Sequence, residues 1–312
     1  MSSDSAAHVE VTFAKLGSNS KRLLSAGVSW GFVLPAIAVY GFVIVYPMIA
    51  GTGFAFTDWD GLSNDRSFVG LENFRRLASD PQARASISTT LVMAGSLLVA
   101  KIVIGLLLAL ALNTQIRTRN FLRMIFFMPV VLTPVIMSFV WRYIFSSNGA
   151  LNQLLEAAGL GNWEQQWLGD PGWALFCVIF VTSWSQVGLA MVIFLAGLQK
   201  VPEELIEAAK IDGAGPVRRL WSVILPMLAP AMTVNVVIAL ITGLKFFDQI
   251  YVLTAGGPGY ATETMSTIIY KTSFQFGEFG YGSSIALVFA IIVATIVYSA
   301  TYLLKKREIE HV

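Results

Sequence analysis

The sequence predicts an all-α polytopic membrane protein with six transmembrane helices. Its 312 residues are 55 % apolar and only 13 % charged, whereas soluble domains carry about 25 % charged residues. Apolar runs able to cross a hydrocarbon core, which takes about 20 residues, recur at 30–53, 87–112, 121–143, 173–198, 228–246 and 285–304. Polar residues gather between these runs, above all between the fourth and the fifth. No repeat, low-complexity linker or composition break is visible. Residues 29–305 therefore read as one membrane domain between polar tails at 1–28 and 306–312.

Composition also excludes several function classes. A net charge of +2, scattered along the chain, leaves no electrostatic footprint for nucleic acid. The single cysteine, Cys177, lies inside an apolar run, so it can form neither an internal disulfide nor a thiolate metal site, and packing is its expected role. Both histidines, His8 and His311, sit at the chain ends, which removes the usual general base from any enclosed pocket. No metal or cofactor is expected.

Taken in order, the tail carries Lys15, Lys21 and Arg22. The apolar run behind it is too long and too far in for a cleavable signal, so it reads as a retained first span. Leu71, Phe74 and Leu77 repeat at helical spacing, which predicts a short helix lying on the bilayer. The second span carries Lys101 near its centre. An ammonium there costs at least about 2.5 kcal/mol on insertion scales, so Lys101 is expected to face a cavity, a carboxylate or helix carbonyls, in a structural role or as a substrate or gate contact. Residues 150–159 predict another surface helix, and Trp141, Trp163, Trp167 and Trp173 cluster as an interfacial belt would. The fourth span contains Ser183, Trp184, Ser185 and Gln186, and the fifth contains Asn235. Intramembrane polar groups of this kind are the candidates for a substrate pathway. Lys245 and Asp248 follow, three residues apart, able to pair with each other or to join a gate. Ala255-Gly256-Gly257-Pro258-Gly259 reads as a rigid turn and not a phosphate cradle, since no strand precedes it.

The segment between spans four and five has its own local logic. Pro202 suits a helix start, Glu203 and Glu204 favour the helix N-terminus, and Gly213-Ala214-Gly215 ends the run. A helix over 202–212 places Leu205, Ala208, Ala209 and Asp212 on one side, expected to face the protein. Glu203, Glu207 and Lys210 fall on the opposite, outward side. Gly213 permits a turn that a β-carbon obstructs, and Pro216 can open a second helix with Arg218, Arg219 and Trp221. The product is a helix-turn-helix knob at the membrane surface.

The same segment resembles the EAA loop (199–226) of ABC-importer permeases. Glu207-Ala208-Ala209, three residues, Gly213, nine residues and Val223-Ile224-Leu225-Pro226 match that pattern, except that Val223 replaces an isoleucine. Phe68-Val69-Gly70-Leu71-Glu72-Asn73-Phe74, Gly149-Ala150-Leu151-Asn152 and the stretch from Phe247-Asp248-Gln249-Ile250-Tyr251 through Gly259 are similar to the carbohydrate branch, the maltose and glycerol-phosphate type. The resemblance implies a type I ABC-importer permease fold. It further implies that Glu203, Glu207, Ala208, Ala209, Asp212 and Gly213 couple to a cytoplasmic ATPase subunit present in two copies. A second, homologous permease, an extracytoplasmic substrate-binding protein, a carbohydrate substrate and membrane lipid complete the implied partners. The stretches that touch sugar in the maltose-type relative fall here on 185–189 and 239–246. With the intramembrane polar groups, the candidate pathway becomes Lys101, Trp184, Ser185, Gln186, Leu189, Asn235, Thr242, Gly243 and Phe246. Where that relative uses side-chain amides from its later helix, this sequence has Gly243 and Phe246. Phe247 and Tyr251 are further aromatic candidates for a sugar face.

Orientation follows from basic residues. Placing both tails, the 113–123 link and the EAA segment on one side collects thirteen of the 21 lysines and arginines. Both termini and the knob are therefore expected in the cytoplasm, in a plasma or inner membrane. No Gly-x-x-x-x-Gly-Lys-Ser/Thr occurs, so ATP must bind a separate subunit and the chain is expected to be a non-catalytic translocation subunit. Two rivals stand beside this reading. An ion-coupled transporter would use Lys101, Asp248 or Glu263 and respond to uncouplers. A membrane enzyme lacks any His, Cys or carboxylate cluster at one depth. Within the favoured class, glycerol-3-phosphate or a glycerophosphodiester is the alternative substrate, with Lys101, Arg142 and Lys245 as cationic contacts.

Overall fold

A computed structural model describes residues 33–114 and 116–310. The tail at 1–28 and Trp30 lie outside them. The chain divides into two compact units at Phe54/Ala55. In the first, α1 (Val33–Phe54) is a 22-residue apolar helix, with a wide turn at Gly41–Val45 in which the Tyr46 N–H donates to the Gly41 carbonyl.

The second unit is helical throughout its core. Its elements are α2 (Glu72–Ser79), α3 (Pro81–Leu112), α4 (Arg119–Val131), α5 (Pro134–Ile144), α6 (Ala150–Ala157) and α7 (Pro171–Leu198). They continue with α8 (Glu203–Ile211), α9 (Pro216–Met227), α10 (Ala229–Leu244), α11 (Asp248–Leu253), α12 (Met265–Tyr270) and α13 (Phe279–Glu310). Among the described residues four helices, α1, α3, α7 and α13, are long and apolar enough to cross a membrane, and six spans result if each of two bent pairs is one crossing. The predicted surface helices appear as α2 and α6.

Two expected spans are not continuous. The run 121–143 is bent by 99° between α4 and α5. Pro134 causes this, because it lacks a donor and excludes the helical region for Thr133, which sits extended at φ −64°, ψ 141°. The run 228–246 is helical only to Leu244 and joins α9 through a 72° bend at Leu228, which Pro226 and Pro230 flank. Two true spans instead begin earlier than their apolar runs. Asp80-Pro81 and Asp170-Pro171 start α3 and α7, and each aspartate accepts two backbone N–H groups of the first turn. An N-cap carboxylate followed by proline at the first helical position is a strong helix start.

Lipid is as apolar as leucine, so helices in a membrane gain their association from close packing. Here each main crossing is built on a small residue. A Cβ on Gly105 would come within 2.8 Å of the Ala190 Cβ, which sets the α3–α7 contact. Gly197 sits as tightly on Ala231, fixing α7 to α10, and Gly243 on the Ala94 Cα, fixing α10 to α3. Gly188 is the tightest of these four, facing the Phe126 carbonyl and, at 3.0 Å, the Phe127 Cα. Those neighbours are backbone and cannot rotate away. Gly188→Val is therefore expected to cost about 3 kcal/mol or more. Thermal unfolding in detergent should show a large drop or loss of folded material, and an unchanged midpoint would refute this account of the α4–α7 crossing.

Three apolar clusters fill the unit. At the end where α7 turns into α8, Leu112, Met191, Phe194, Leu198 and Leu228 pack together. Met93, Met137, Cys177, Val178, Val181, Phe246 and Ile250 form a second cluster, in which Cys177 is buried and serves packing. Leu77, Ala83, Met265, Tyr281 and Ile285 form the third, joining α2, α3, α12 and α13. Polar clamps close that last region. Arg76 binds Glu278 at 2.7 Å and lies over the Tyr281 ring, while the Tyr281 hydroxyl donates to Asp80. The hydrogen bond to Glu278 raises the Arg76 guanidinium above its ordinary range.

Candidate functional site

A hollow of about 310 Å³ lies where three interrupted or adjoining elements meet. Pro134 contributes from the α4–α5 break, Gln186 from α7, and Ile241, Thr242, Lys245, Phe246, Phe247 and Asp248 from the α10–α11 break. The breaks are what make the hollow possible. Continuous helices would fill this space with their own side chains and leave no bare backbone. Irregular backbone at membrane depth is tolerated where it borders a cavity or is buried in protein. Phe247, at φ −131°, ψ −58°, precedes the first residue of α11 and stacks its ring on Tyr251 at 5.2 Å and 16°. Tyr270 packs edge-on against Tyr251, so the aromatic candidates form a wall among themselves.

The sequence-derived pathway residues do not all converge. Gln186, Thr242 and Phe246 share the hollow. Trp184 faces a separate apolar depression with Ser183, Phe126 and Val187 and packs edge-on against Trp141 at 5.4 Å. Ser185 is buried, donating to the Thr182 carbonyl and accepting from Gln249 Nε2. Leu189 is half-buried on α7. Gly243 is a packing glycine against Ala94. Asn235 is fully buried, its Nδ2 reaching the Ala190 carbonyl at 3.4 Å. Lys101 is also fully buried, and its Nζ has no hydrogen-bond partner among the described residues. The expected carboxylate or carbonyl contact of Lys101 is thus not found among the described residues, and Lys101 does not line the hollow. Lys245 and Asp248 form no ion pair with each other, since both side chains turn out into the hollow.

Sequence reasoning missed Gln249, whose amide ties α11 to α7 through Ser185. Its polarity within an apolar stretch was the available signal. Also unforeseen was the pairing of Glu263 with Lys271 at 2.6 Å beneath Gly256. This pair, with the Thr262 hydroxyl donating to the Gly257 carbonyl, fixes the glycine-rich turn, which contains a cis Gly257–Pro258 bond.

At the far end of α7 stands the knob. Helix α8 runs Glu203–Ile211 with Pro202 before it and Asp212 after it. Gly213 adopts φ +76°. The N–H of Ala214 reaches the Ala209 carbonyl and that of Gly213 the Lys210 carbonyl, a glycine-terminated stop of Schellman type. Pro216 opens α9, as expected. The inward face differs from the expectation. Ala209 and Ile206 are half-buried, but Leu205, Ala208 and Asp212 are exposed, because the turn at Gly213 tilts the helix so that only one edge meets α9. Glu203, Glu207 and Lys210 point to solvent, together with the apolar Ile211, Val217 and Trp221.

Residues 101–309 match the sequence family described as the binding-protein-dependent transport system inner membrane component. The chain belongs to this family. Members similar to it include the multiple sugar-binding transport system permease protein MsmF of Streptococcus mutans, 35 % identical over 93 % of this chain and 99 % of that protein. The probable starch degradation products transport system permease protein AmyD of Thermoanaerobacterium thermosulfurigenes is 36 % identical over 90 % and 95 %. Among solved structures, a chain of a bacterial ABC transporter that imports the acidic polysaccharide alginate superposes with a TM-score of 0.81 at 25 % identity, covering 94 % of this chain and 99 % of the other. The protein is thus a multi-pass membrane component of a binding-protein-dependent transport system with the type I ABC-importer permease fold.

Proposed function

We propose that this permease forms, with a second homologous subunit, the pathway for carbohydrate uptake by alternating access, and that the hollow at Gln186, Thr242 and Phe246 is its half of the sugar site. The observation that carries the reading is the meeting of the α4–α5 bend and the α10–α11 break at one polar-edged hollow, the arrangement in which transporters expose binding groups within the membrane. The named sugar systems of the relatives favour a carbohydrate over a glycerol phosphate.

In this reading the knob is cytoplasmic, as are both termini. It docks on an ATPase subunit present in two copies, through Glu203, Glu207 and the exposed apolar side chains beside them. The opposite end receives an extracytoplasmic binding protein. A depression of about 780 Å³ along α2, edged by Asp58, Glu72, Arg75 and Arg76, offers mixed charge for that contact. Asn235 holds the α7–α10 seam through the Ala190 carbonyl.

Gln186→Leu tests the site. The substitution keeps volume on a half-buried position and removes both amide groups, so sugar uptake by cells carrying the complete system should fall about tenfold or more, with assembly intact. Wild-type uptake would refute the hollow as the site. Copurification through a tag on this chain, with the remaining subunits untagged, should recover one further permease and the ATPase. A preparation of this chain alone that drives uptake would overturn the division of labour.

A further inference from the structure

We propose that the hollow selects an uncharged polyhydroxylated sugar, and that Lys245 and Asp248 are the residues that enforce this selection by presenting one unpaired charge of each sign. The inference rests on the hollow being the sugar site.

Both side chains line the hollow, both are exposed, and neither takes part in an ion pair among the described residues. They are the charges that matter there. Helices α7 and α10 contain no charged residue, and α5 and α11 contain only Arg142 and Asp248. Arg142 lies eight residues beyond Pro134, about 12 Å along the helix, and turns to the Val252 carbonyl. The other ion pair in this part of the chain, Glu263 with Lys271, is already closed on itself. The charges lining the hollow are therefore one ammonium and one carboxylate, summing to zero.

Such a pair matches the chemistry of a sugar diol. Each hydroxyl both donates and accepts. Lys245 Nζ can donate to one hydroxyl oxygen while an Asp248 carboxylate oxygen accepts from its neighbour, and hydrogen bonds to charged groups are the stronger kind. A uronate or sugar phosphate gains at Lys245 but meets Asp248 with like charge. An amino sugar meets the converse. Neither charged ligand satisfies both residues, whereas a neutral one does. Phe246 and Pro134 supply apolar surface for the C–H faces.

The test uses three pyranoses of matched shape: glucose, glucosamine and glucuronate. Binding to the purified full complex, without the binding protein, is followed by saturation-transfer NMR at low ionic strength, where charge effects are least screened. Wild type should bind glucose best. Asp248→Asn should raise the glucuronate-to-glucose ratio about tenfold, and Lys245→Met the glucosamine-to-glucose ratio by a similar factor. Both positions are exposed, so neither substitution opens a void. If the ratios stay fixed while Gln186→Leu abolishes binding of all three, the hollow stands as the sugar site and the charge selection is overturned. If Gln186→Leu also leaves binding unchanged, or no pyranose binds, the site itself is wrong and the selection falls with it.

Discussion

Lys101→Met is expected to raise the thermal stability of the purified protein, the reverse of what most buried substitutions do. Lys101 is 0 % exposed and its Nζ lacks any partner among the described residues. Removing one member of a buried pair is destabilising because it leaves a charge uncompensated. Here the uncompensated charge is already present. A lysine near the centre of a membrane helix costs about 2.5–3.5 kcal/mol on insertion scales. Methionine has nearly the same length, is unbranched and adapts to irregular gaps, so the buried site of Lys101 can close on it. A clear upward shift of the unfolding midpoint is the expected result, with sugar ranking unaltered because Lys101 does not line the hollow. A lower midpoint would mean that the ammonium has a stabilising partner. A changed ranking would return Lys101 to the pathway.

The same residue shows where sequence reading stops. Its depth in an apolar run was legible, and so was the energetic demand for a partner. Which neighbours surround it depends on the register of three helices, set by Gly105 on Ala190 and Gly243 on Ala94. Individual glycines in apolar runs carry no mark saying which helix they meet. Gly243 illustrates the cost: counted along the chain it falls among candidate sugar contacts, yet its missing side chain serves the α10–α3 crossing.

Local signals were read more successfully when they depend on the backbone alone. Pro202, Gly213 and Pro216 define the knob to within a residue of its observed helices. Pro134, by contrast, carried a legible break that the apolarity of 121–143 concealed. Hydropathy counts residues without asking whether the backbone can continue through them. Asp80-Pro81 and Asp170-Pro171 likewise marked helix starts ahead of the apolar runs. The break at Pro134 could be read from sequence, but its meeting with the α10–α11 break at one hollow is a tertiary fact.

Glu207→Lys and Gly213→Val should each abolish uptake while leaving insertion and thermal stability near wild type. Glu207 is exposed and makes no ion pair within the described residues, so reversing its charge disturbs nothing in the chain itself. Any effect on transport must arise where another protein meets the knob. Truncating one side of a desolvated interfacial charge pair costs about 2–5 kcal/mol, and reversal adds repulsion, so a loss of tenfold or more is expected. Gly213 acts by a different route. A Cβ there has nothing within 4 Å to strike, but φ is +76°, a region that costs a β-carbon-bearing residue about 1–2 kcal/mol. Valine would relieve that strain by retilting α8 on α9, moving Glu203, Glu207 and Ile211 together. If the knob docks on an ATPase as proposed, ATP hydrolysis should then persist without sugar movement. The two substitutions share no physical mechanism except the surface they alter, so normal uptake by both would remove the knob from the coupling path. Loss through both, with folding preserved, leaves partner docking as their common cause.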